Sequence, residues 1–243
     1  MEKADSEIKV LSEFNIKRIA VIAYRVEPEL LYPFLPENTE LHYWNNNCLL
    51  CLQGYILSDI EIQGYQLPYH KSLQVMNLHF YVKHQNGEDC EYGIVYIKNF
   101  LSKSLFKILS NHLYNSNSIT KITACVEQIE DELISASYSW AYRLKNFSFH
   151  VMGNEIPVPY RPDSFEEFIS THQWIFAKTI NNKTLQYKMA HSKWQFHQTI
   201  NVRVKLDFGT EFGEEFYYLN EENPIAVALA EGSWAGLTST KEF

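Results

Sequence analysis

The sequence predicts a mainly β protein, α+β by content, whose strands form an antiparallel barrel or sandwich with about three short helices. Apolar and polar residues alternate along much of the chain, most clearly in "LISASYSWAY", residues 133–142. This period of two is typical of a strand with one buried face. Helical spacing occurs only in short stretches, so strands dominate the prediction.

Further strands follow from the same alternation and from turn residues. Residues 74–83 and 90–98 are predicted strands, joined by the hairpin turn "NGED". The stretch "TINNKTLQY" predicts a second hairpin that turns at residues 181–183. Alternation over residues 194–206 predicts one more continuous strand.

Three short helices are predicted. Pro28 suits the first position of a helix that ends at one of the following prolines. Residues 102–114, "SKSLFKILSNHLY", carry leucine and isoleucine at helical spacing. Residues 163–170 begin with Asp163 and Glu166, the pattern of a capping box.

Size and composition indicate one globular domain. The chain has 243 residues, of which 46% are hydrophobic, enough for one large core. We therefore expect a single domain over residues 1–243, with residues 1–14 as a loosely ordered N-terminal segment. The four cysteines fit a reducing compartment, and Cys48 and Cys51 lack the second pair that a structural zinc site needs.

Charge and hydropathy argue against two classes of partner. Lys and Arg total 21 against 29 Asp and Glu, and no basic cluster occurs, so no nucleic-acid partner is predicted. No apolar run is long enough to span a membrane, and the charged N-terminus lacks the apolar region of a signal peptide. We expect a cytoplasmic protein without a membrane partner.

The common catalytic motifs are missing. The chain has no glycine-rich phosphate loop, no HExxH and no nucleophile elbow, so we predict neither a cofactor nor a metal. The unusual feature is Arg25, which ends the apolar run "IAVIAY" on a strand predicted over residues 16–26. An arginine in a buried strand needs an anionic partner or a wet cavity. It either forms a structural ion pair or presents its guanidinium to a ligand carboxylate or carbonyl.

Several segments resemble one protein superfamily. "VIAYRVEPELLYPFLPENTEL", residues 21–41, is similar to the opening of the acetoacetate decarboxylase superfamily, and most of all to its uncharacterised YqjF-like bacterial branch, a domain of unknown function. "LQVMNLHFYV", with Asn77 at its centre, resembles a strand of that branch. "PDSFEEFISTHQWIFA" and "MAHSKWQFHQ" resemble its helix with an aromatic strand and its H-x-x-W segment, here His191 and Trp194.

The resemblance implies a closed or cone-shaped antiparallel β-barrel with a central cavity. Decarboxylases of the superfamily use a lysine that forms a Schiff base with a keto acid, and it follows the helix. The corresponding stretch here, "SNHLYNSN", contains no lysine. Lys98 and Lys121 lie nearby in sequence, but neither has an adjacent cation to lower its pKa.

The sequence therefore predicts a small-molecule-binding β-barrel in which Arg25 anchors a carboxylate or another small anion. The candidate ligand-binding residues are Arg25, Asn77, His79, Tyr114, His191 and Trp194. One alternative is a lyase that acts on a keto acid through Lys98 or Lys121. Another is a non-catalytic protein whose barrel is filled by aromatic side chains. The resemblance also implies a homo-oligomer, a dimer or larger.

Overall fold

A computed structural model describes residues 10–66, 72–114, 118–120, 123–130, 132–142, 144–179 and 181–243. Within these ranges the chain forms seventeen strands. They are β1 (Val10–Arg25), β2 (Glu40–Leu41), β3 (Leu49–Ile62), β4 (Tyr65–Gln66), β5 (Ser72–Asn86), β6 (Asp89–Leu101), β7 (Ser118–Thr120), β8 (Thr123–Glu130), β9 (Leu133–Tyr142), β10 (Lys145–Asn154), β11 (Trp174–Lys178), β12 (Thr184–His191), β13 (Phe196–His197), β14 (Thr199–Lys205), β15 (Ala226–Ala230), β16 (Trp234–Thr238) and β17 (Lys241–Glu242).

Helices are few and short, as predicted. The described residues form three α-helices, which are α1 (Ser104–Tyr114), α2 (Phe165–Thr171) and α3 (Phe208–Phe212). The 3-10 segments are Pro28–Leu30, Tyr32–Phe34 and Glu214–Asn220. The mainly β class is therefore confirmed. None of the described helices has the length and apolar character needed to cross a membrane.

Seven strands pair in a closed circuit, which we call the strand circuit. β1 pairs with β3 along one edge and with β16 along the other. From β3 the pairing continues through β5, β6, β11 and β12 to β16, which returns to β1. Every pairing in the circuit is antiparallel except the parallel one between β6 and β11. The circuit brings together strands from both ends of the chain.

A second sheet packs against the outside of the strand circuit. Its strand order is β14-β10-β9-β8. Tyr138 and Phe149 of this sheet join one hydrophobic cluster with Leu52 and Met76 of the circuit, and we call it the outer cluster. The sheets approach closely at Gly54, where a Cβ would lie 2.6 Å from the Tyr138 ring.

The other hydrophobic cluster, here the inner cluster, lies on the opposite face of the circuit strands. β1 contributes to both clusters. Ala20, Ile22 and Tyr24 belong to the outer cluster, whereas Ile19, Val21 and Ala23 belong to the inner one. The prediction that the apolar run of β1 is buried on both faces is confirmed. A β-bulge with Arg18 at a φ of 53° precedes this run and shifts its register.

Several sequence expectations need correction. Residues 10–14, expected to be loosely ordered, form the start of β1, and residues 1–9 lie outside the described part. The single strand predicted over residues 194–206 is two strands. β13 pairs with β15, whereas β14 pairs with β10 of the second sheet. The break exists because the chain passes from one sheet to the other at this point.

Local turn and cap chemistry accounts for the remaining differences. The helix predicted at Pro28 is a pair of 3-10 turns, since the chain has a second proline within the next turn. The N-cap of α2 is Ser164, which accepts a hydrogen bond from the backbone N–H of Glu167, so the predicted Asp163 cap is one residue too early. Both predicted hairpins are confirmed, because Asn86 pairs with Asp89 and the Thr179 N–H donates to the Lys183 carbonyl at 2.8 Å.

Candidate functional site

The inner face of the strand circuit lines a partly open cavity of about 110 Å³. Each strand of the circuit contributes at least one lining residue. Examples in circuit order are Phe14, Tyr55, Val75, Tyr96, Ile175, Tyr187 and Leu237. Helix α1 covers the cavity with Phe106, Leu109, Ser110 and Tyr114. The cavity thus depends on strands that are distant in sequence and on one short helix.

The wall of this cavity is mostly apolar, and none of its described lining residues is charged. Its polar groups are hydroxyls and one amide, contributed by Ser12, Tyr55, Tyr96, Asn99, Ser110, Tyr114 and Tyr187. Burial raises the pKa of Tyr55 to about 12, even though hydrogen bonds from Tyr96 and Asn77 act in the opposite direction. Burial also raises the pKa of Tyr96 and of Tyr187 well above the ordinary phenol value. The phenols are therefore neutral at physiological pH and act as uncharged hydrogen-bonding groups.

A chain of buried polar side chains adjoins the cavity through Tyr55. Asn77 is fully buried on β5, and its Nδ2 donates to Oε1 of Gln53 at 3.3 Å. Its Oδ1 lies 2.7 Å from Nδ1 of His79. Because Oδ1 can only accept, Nδ1 of His79 carries the proton and its Nε2 accepts from the Tyr81 hydroxyl at 3.3 Å. The sequence hypothesis that Asn77 and His79 share one polar face agrees with this geometry.

Burial keeps the side chains of this hydrogen-bonded series uncharged. Desolvation lowers the pKa of His79 to about 3, so the imidazole is neutral at physiological pH. Burial also raises the pKa of Cys51 to about 12, although its hydrogen bond with Tyr81 lowers it. These groups are thus held as neutral, mutually hydrogen-bonded side chains. An uncharged polar chain of this kind orients its members without placing an ion in the interior.

A pair of histidines lies beside Tyr81. Nδ1 of His172 donates to the Phe168 carbonyl at 2.5 Å, which leaves Nε2 to accept from Nδ1 of His42 at 2.8 Å. The Tyr81 and His172 rings are 4.7 Å apart, centroid to centroid. Burial lowers the pKa of His172 to about 3, so its imidazole is neutral at physiological pH. His172 comes from the end of α2 and His42 from the loop after β2.

The structure places Arg25 away from the cavity. It is the last residue of β1, paired with Leu49, and its side chain is exposed. Arg25 is not among the residues that line the cavity. The expectation of a buried arginine is wrong, because the strand ends there and the long side chain reaches solvent.

The other candidate residues divide into two groups. Tyr114 is buried at the end of α1 and lines the cavity. His191 and Trp194 stack on each other with ring centroids 4.1 Å apart and an interplanar angle of 13°. Neither of these two lines the cavity. The structure therefore brings the six candidates to four places rather than one.

Lys98, one of the two lysines of the Schiff-base hypothesis, does not line the cavity. Lys98 Nζ donates to the Glu211 carbonyl at 2.5 Å and lies 5.7 Å from the centroid of the Phe212 ring. Phe212 belongs to the outer cluster, so Lys98 points away from the cavity. Lys121 lies outside the described residues.

The family relationship follows from comparison with known proteins. The model of DUF2071, a family of uncharacterized conserved proteins, matches residues 14–233. The chain belongs to the DUF2071 family. No curated protein matches the sequence.

Solved structures show which fold this DUF2071 chain has. An acetoacetate decarboxylase from Legionella pneumophila is similar with a TM-score of 0.65 and 11% identity, over 97% of this chain and 88% of that one. The enduracididine biosynthesis enzyme MppR, complexed with pyruvate, has a TM-score of 0.65 and 9% identity, over 99% and 93%. An acetoacetate decarboxylase-like enzyme from Sphingomonas wittichii RW1 has a TM-score of 0.64 and 9% identity, over 97% and 93%. The DUF2071 chain therefore has the acetoacetate decarboxylase-like fold.

Sequence reasoning missed most of the cavity wall of this DUF2071 protein. Tyr55, Tyr96, Tyr187 and Asn99 were not predicted as site residues, although all four line the cavity. One signal was available, since Asn99 is a polar residue within the apolar end of a strand, as Asn77 is on the neighbouring strand. The two asparagines are register partners on β5 and β6. Among the described residues, no group of three His, Cys, Asp or Glu side chains is placed to hold a metal ion.

Proposed function

We propose that this protein binds a small neutral organic molecule in the cavity inside the strand circuit. The observation that supports this proposal is a cavity of about 110 Å³ whose described lining is uncharged but carries seven polar side chains. A dry apolar cavity of roughly 150 Å³ is large enough for benzene, so the ligand has only a few non-hydrogen atoms. Apolar walls with a few polar groups are the usual composition of a small-molecule site.

The uncharged wall disfavours an ionised ligand. A carboxylate transferred into this space would lose its hydration without gaining a cationic partner from the described lining. Neutral phenols and an amide instead match carbonyl, hydroxyl or amide groups. The carboxylate-anchor role of Arg25 stays a separate prediction for an exposed site at the end of β1.

The alternative of a barrel filled by aromatic side chains agrees with most of the inner cluster, but it does not account for the cavity. Phe14, Tyr55, Tyr187 and other large side chains fill much of the interior, as that alternative predicts. The remaining space is lined by Tyr55 and Tyr96 among other residues. A homo-oligomeric state remains a prediction.

Two methionines allow the proposal to be tested inside one protein sample. Met189 lines the cavity, whereas Met76 is buried in the outer cluster. In protein labelled with ¹³C at the methionine methyl groups, titration with cyclopentanol, butanone or acetamide should shift the Met189 resonance and leave Met76 unchanged. Acetate and pyruvate should shift neither resonance. Equal movement of both methyls, or none with any neutral probe, would contradict the proposal.

Two substitutions sharpen this test. Val75→Leu adds a methylene group to a lining residue and should weaken binding of the neutral probes. Val151→Leu makes the same change in the outer cluster and should leave binding unchanged.

The separate prediction that Arg25 binds a carboxylate is tested by a thermal-shift screen of small carboxylates, with wild-type protein and the variant Arg25→Ala. Carboxylate stabilisation that Arg25→Ala abolishes would support that role, and an equal response in both proteins would remove it.

A further inference from the structure

We infer that Asn99 Oδ1 selects the ligand of this cavity, favouring neutral molecules that carry a hydrogen-bond donor, with alcohols as the best-fitting class. This inference rests on the proposed function, because it concerns the chemistry of the same cavity. It adds a specificity-determining group and a direction for the hydrogen bond.

The first observation is an unused acceptor in the wall. Asn99 lines the cavity and its side chain is only 5% exposed. Its Nδ2 donates to Oγ of Ser118 at 3.0 Å. Its Oδ1 is buried and has no hydrogen-bond partner within the part of the chain that the structure describes.

The second observation is that the residue contacted by the Asn99 amide nitrogen is itself held in place. Asn111 on α1 holds Ser118 at both backbone groups, since its Nδ2 donates to the Ser118 carbonyl at 2.9 Å and its Oδ1 accepts from the Ser118 N–H at 2.6 Å. Ser118 is thus fixed as the partner of Asn99 Nδ2. The amide nitrogen is committed to this contact, and the oxygen is the group left for a ligand.

A hydrogen-bond donor on the ligand would give the buried Asn99 Oδ1 the partner that it lacks. A buried carbonyl oxygen without a partner has lost its hydration, and a ligand O–H restores a hydrogen bond. A ketone of the same size would bring its own lone pairs towards Oδ1 and leave the acceptor unsatisfied. Donor-bearing ligands are therefore preferred over acceptor-only ligands of equal shape.

The same cavity also offers an unused donor. The Tyr114 hydroxyl is buried on the α1 side and lacks a hydrogen bond of good geometry, although the nearby Ser12 hydroxyl lowers its pKa. Burial nevertheless raises the pKa of Tyr114, so the phenol keeps its proton. An alcohol both donates and accepts, and it matches an acceptor at Asn99 together with a donor at Tyr114.

Cyclopentanol and cyclopentanone test this preference because they share a ring and differ in the donor. Binding of each is followed by titrating the ¹³C methyl resonance of Met189. In the wild type, cyclopentanol should bind roughly five- to tenfold more tightly, the effect of one buried hydrogen bond. Asn99→Leu, which keeps the branched shape without the amide, should abolish the difference. Val151→Leu, a change in the outer cluster that leaves the cavity lining untouched, should retain it.

The outcomes separate this inference from the proposed function. If both compounds shift Met189 with equal affinity, or if Asn99→Leu keeps the alcohol preference, the cavity binds ligands but Asn99 does not select them. If neither compound shifts Met189, cavity binding itself fails and this inference fails with it. Should Asn99→Leu not fold, the wild-type affinity ratio and the smaller change Asn99→Ala decide the question.

Discussion

Oδ1 of Asn77 lies 2.7 Å from Nδ1 of His79, two residues further along β5. Both side chains project from the same face of the strand and are almost completely buried. Their contact is the central link in a chain of neutral polar groups that runs from Gln53 to Tyr81 beside the cavity. This chain and the uncharged cavity wall lead to predictions on stability, pH dependence, packing and reactivity.

Replacing Asn77 with alanine should destabilise the protein. The substitution leaves the His79 Nδ1–H and the Gln53 Oε1 without their partner in a buried setting. The expected loss in free energy of unfolding is about 1–3 kcal/mol. Urea denaturation monitored by circular dichroism measures this loss. Asn86→Ala, at the exposed end of the same strand, is the matched control and should have little effect. Equal losses in the two variants would show that the Asn77 contacts are not stabilising.

The free energy of unfolding should fall as the pH is lowered from about 6.5 towards 3. Burial lowers the pKa of His79 to about 3, whereas the unfolded chain takes up this proton near the ordinary imidazole pKa of 6.5. Between these values the unfolded state binds more protons, so lowering the pH favours unfolding. One such histidine contributes a slope of up to about 1.4 kcal/mol per pH unit.

The variant His79→Gln isolates this contribution. Its unfolding free energy, measured between pH 4 and pH 6.5, should depend less steeply on pH than that of the wild type, by about one bound proton. His172→Gln should reduce the slope similarly, because burial lowers the pKa of His172 to about 3 as well. Parallel curves for the wild type and both variants would contradict the burial argument.

Gly54→Ala should destabilise the contact between the two sheets. The added Cβ would lie 2.6 Å from Tyr138 and 2.7 Å from Phe149, both held in the outer cluster. Overpacking of this kind costs about 1–3 kcal/mol. Thermal unfolding compares this variant with Gly64→Ala, where nothing lies near the new Cβ but φ is +80°. The backbone strain at Gly64 should cost less than the ring clash, and the reverse order would count against close sheet contact at Gly54.

Lys98 should form no Schiff base with a keto acid. Its ammonium group donates to the Glu211 carbonyl and lies on the outer-cluster side of β6. Borohydride reduction in the presence of acetoacetate or pyruvate, followed by intact-mass measurement and peptide mapping, should detect no adduct at this residue. An acetoacetate decarboxylase treated in parallel controls for the trapping chemistry. An adduct at Lys98 would contradict its placement, and one at Lys121 would support the lyase alternative.

Local patterns predicted much of the architecture. The limits of β9 agree with the alternation over residues 133–142, and both hairpins turn where the turn residues indicated. The spacing of Asn77 and His79 predicted a shared face, because side chains two apart on a strand always share one unless a bulge intervenes. The bulge lies opposite them, on β6 near Ile97, and leaves their own spacing intact.

Arg25 shows where local patterns fail. The apolar run before it predicted burial, but burial of a residue at the end of a strand depends on which other segments reach that end. The prediction of one continuous strand over residues 194–206 was wrong for a similar reason. The two halves of this segment pair with strands of two different sheets. Neither property is encoded in the residues concerned.

The sequence by itself determined the mainly β class, the family resemblance and the hairpins. Only the tertiary structure decided that Tyr55, Asn99, Tyr114 and Tyr187 line one space and that Arg25 and Lys98 do not. Strand periodicity is a local property of a few neighbouring residues. A cavity is formed by side chains from strands that pair across the whole chain, and the uncharged character of its wall results from those pairings.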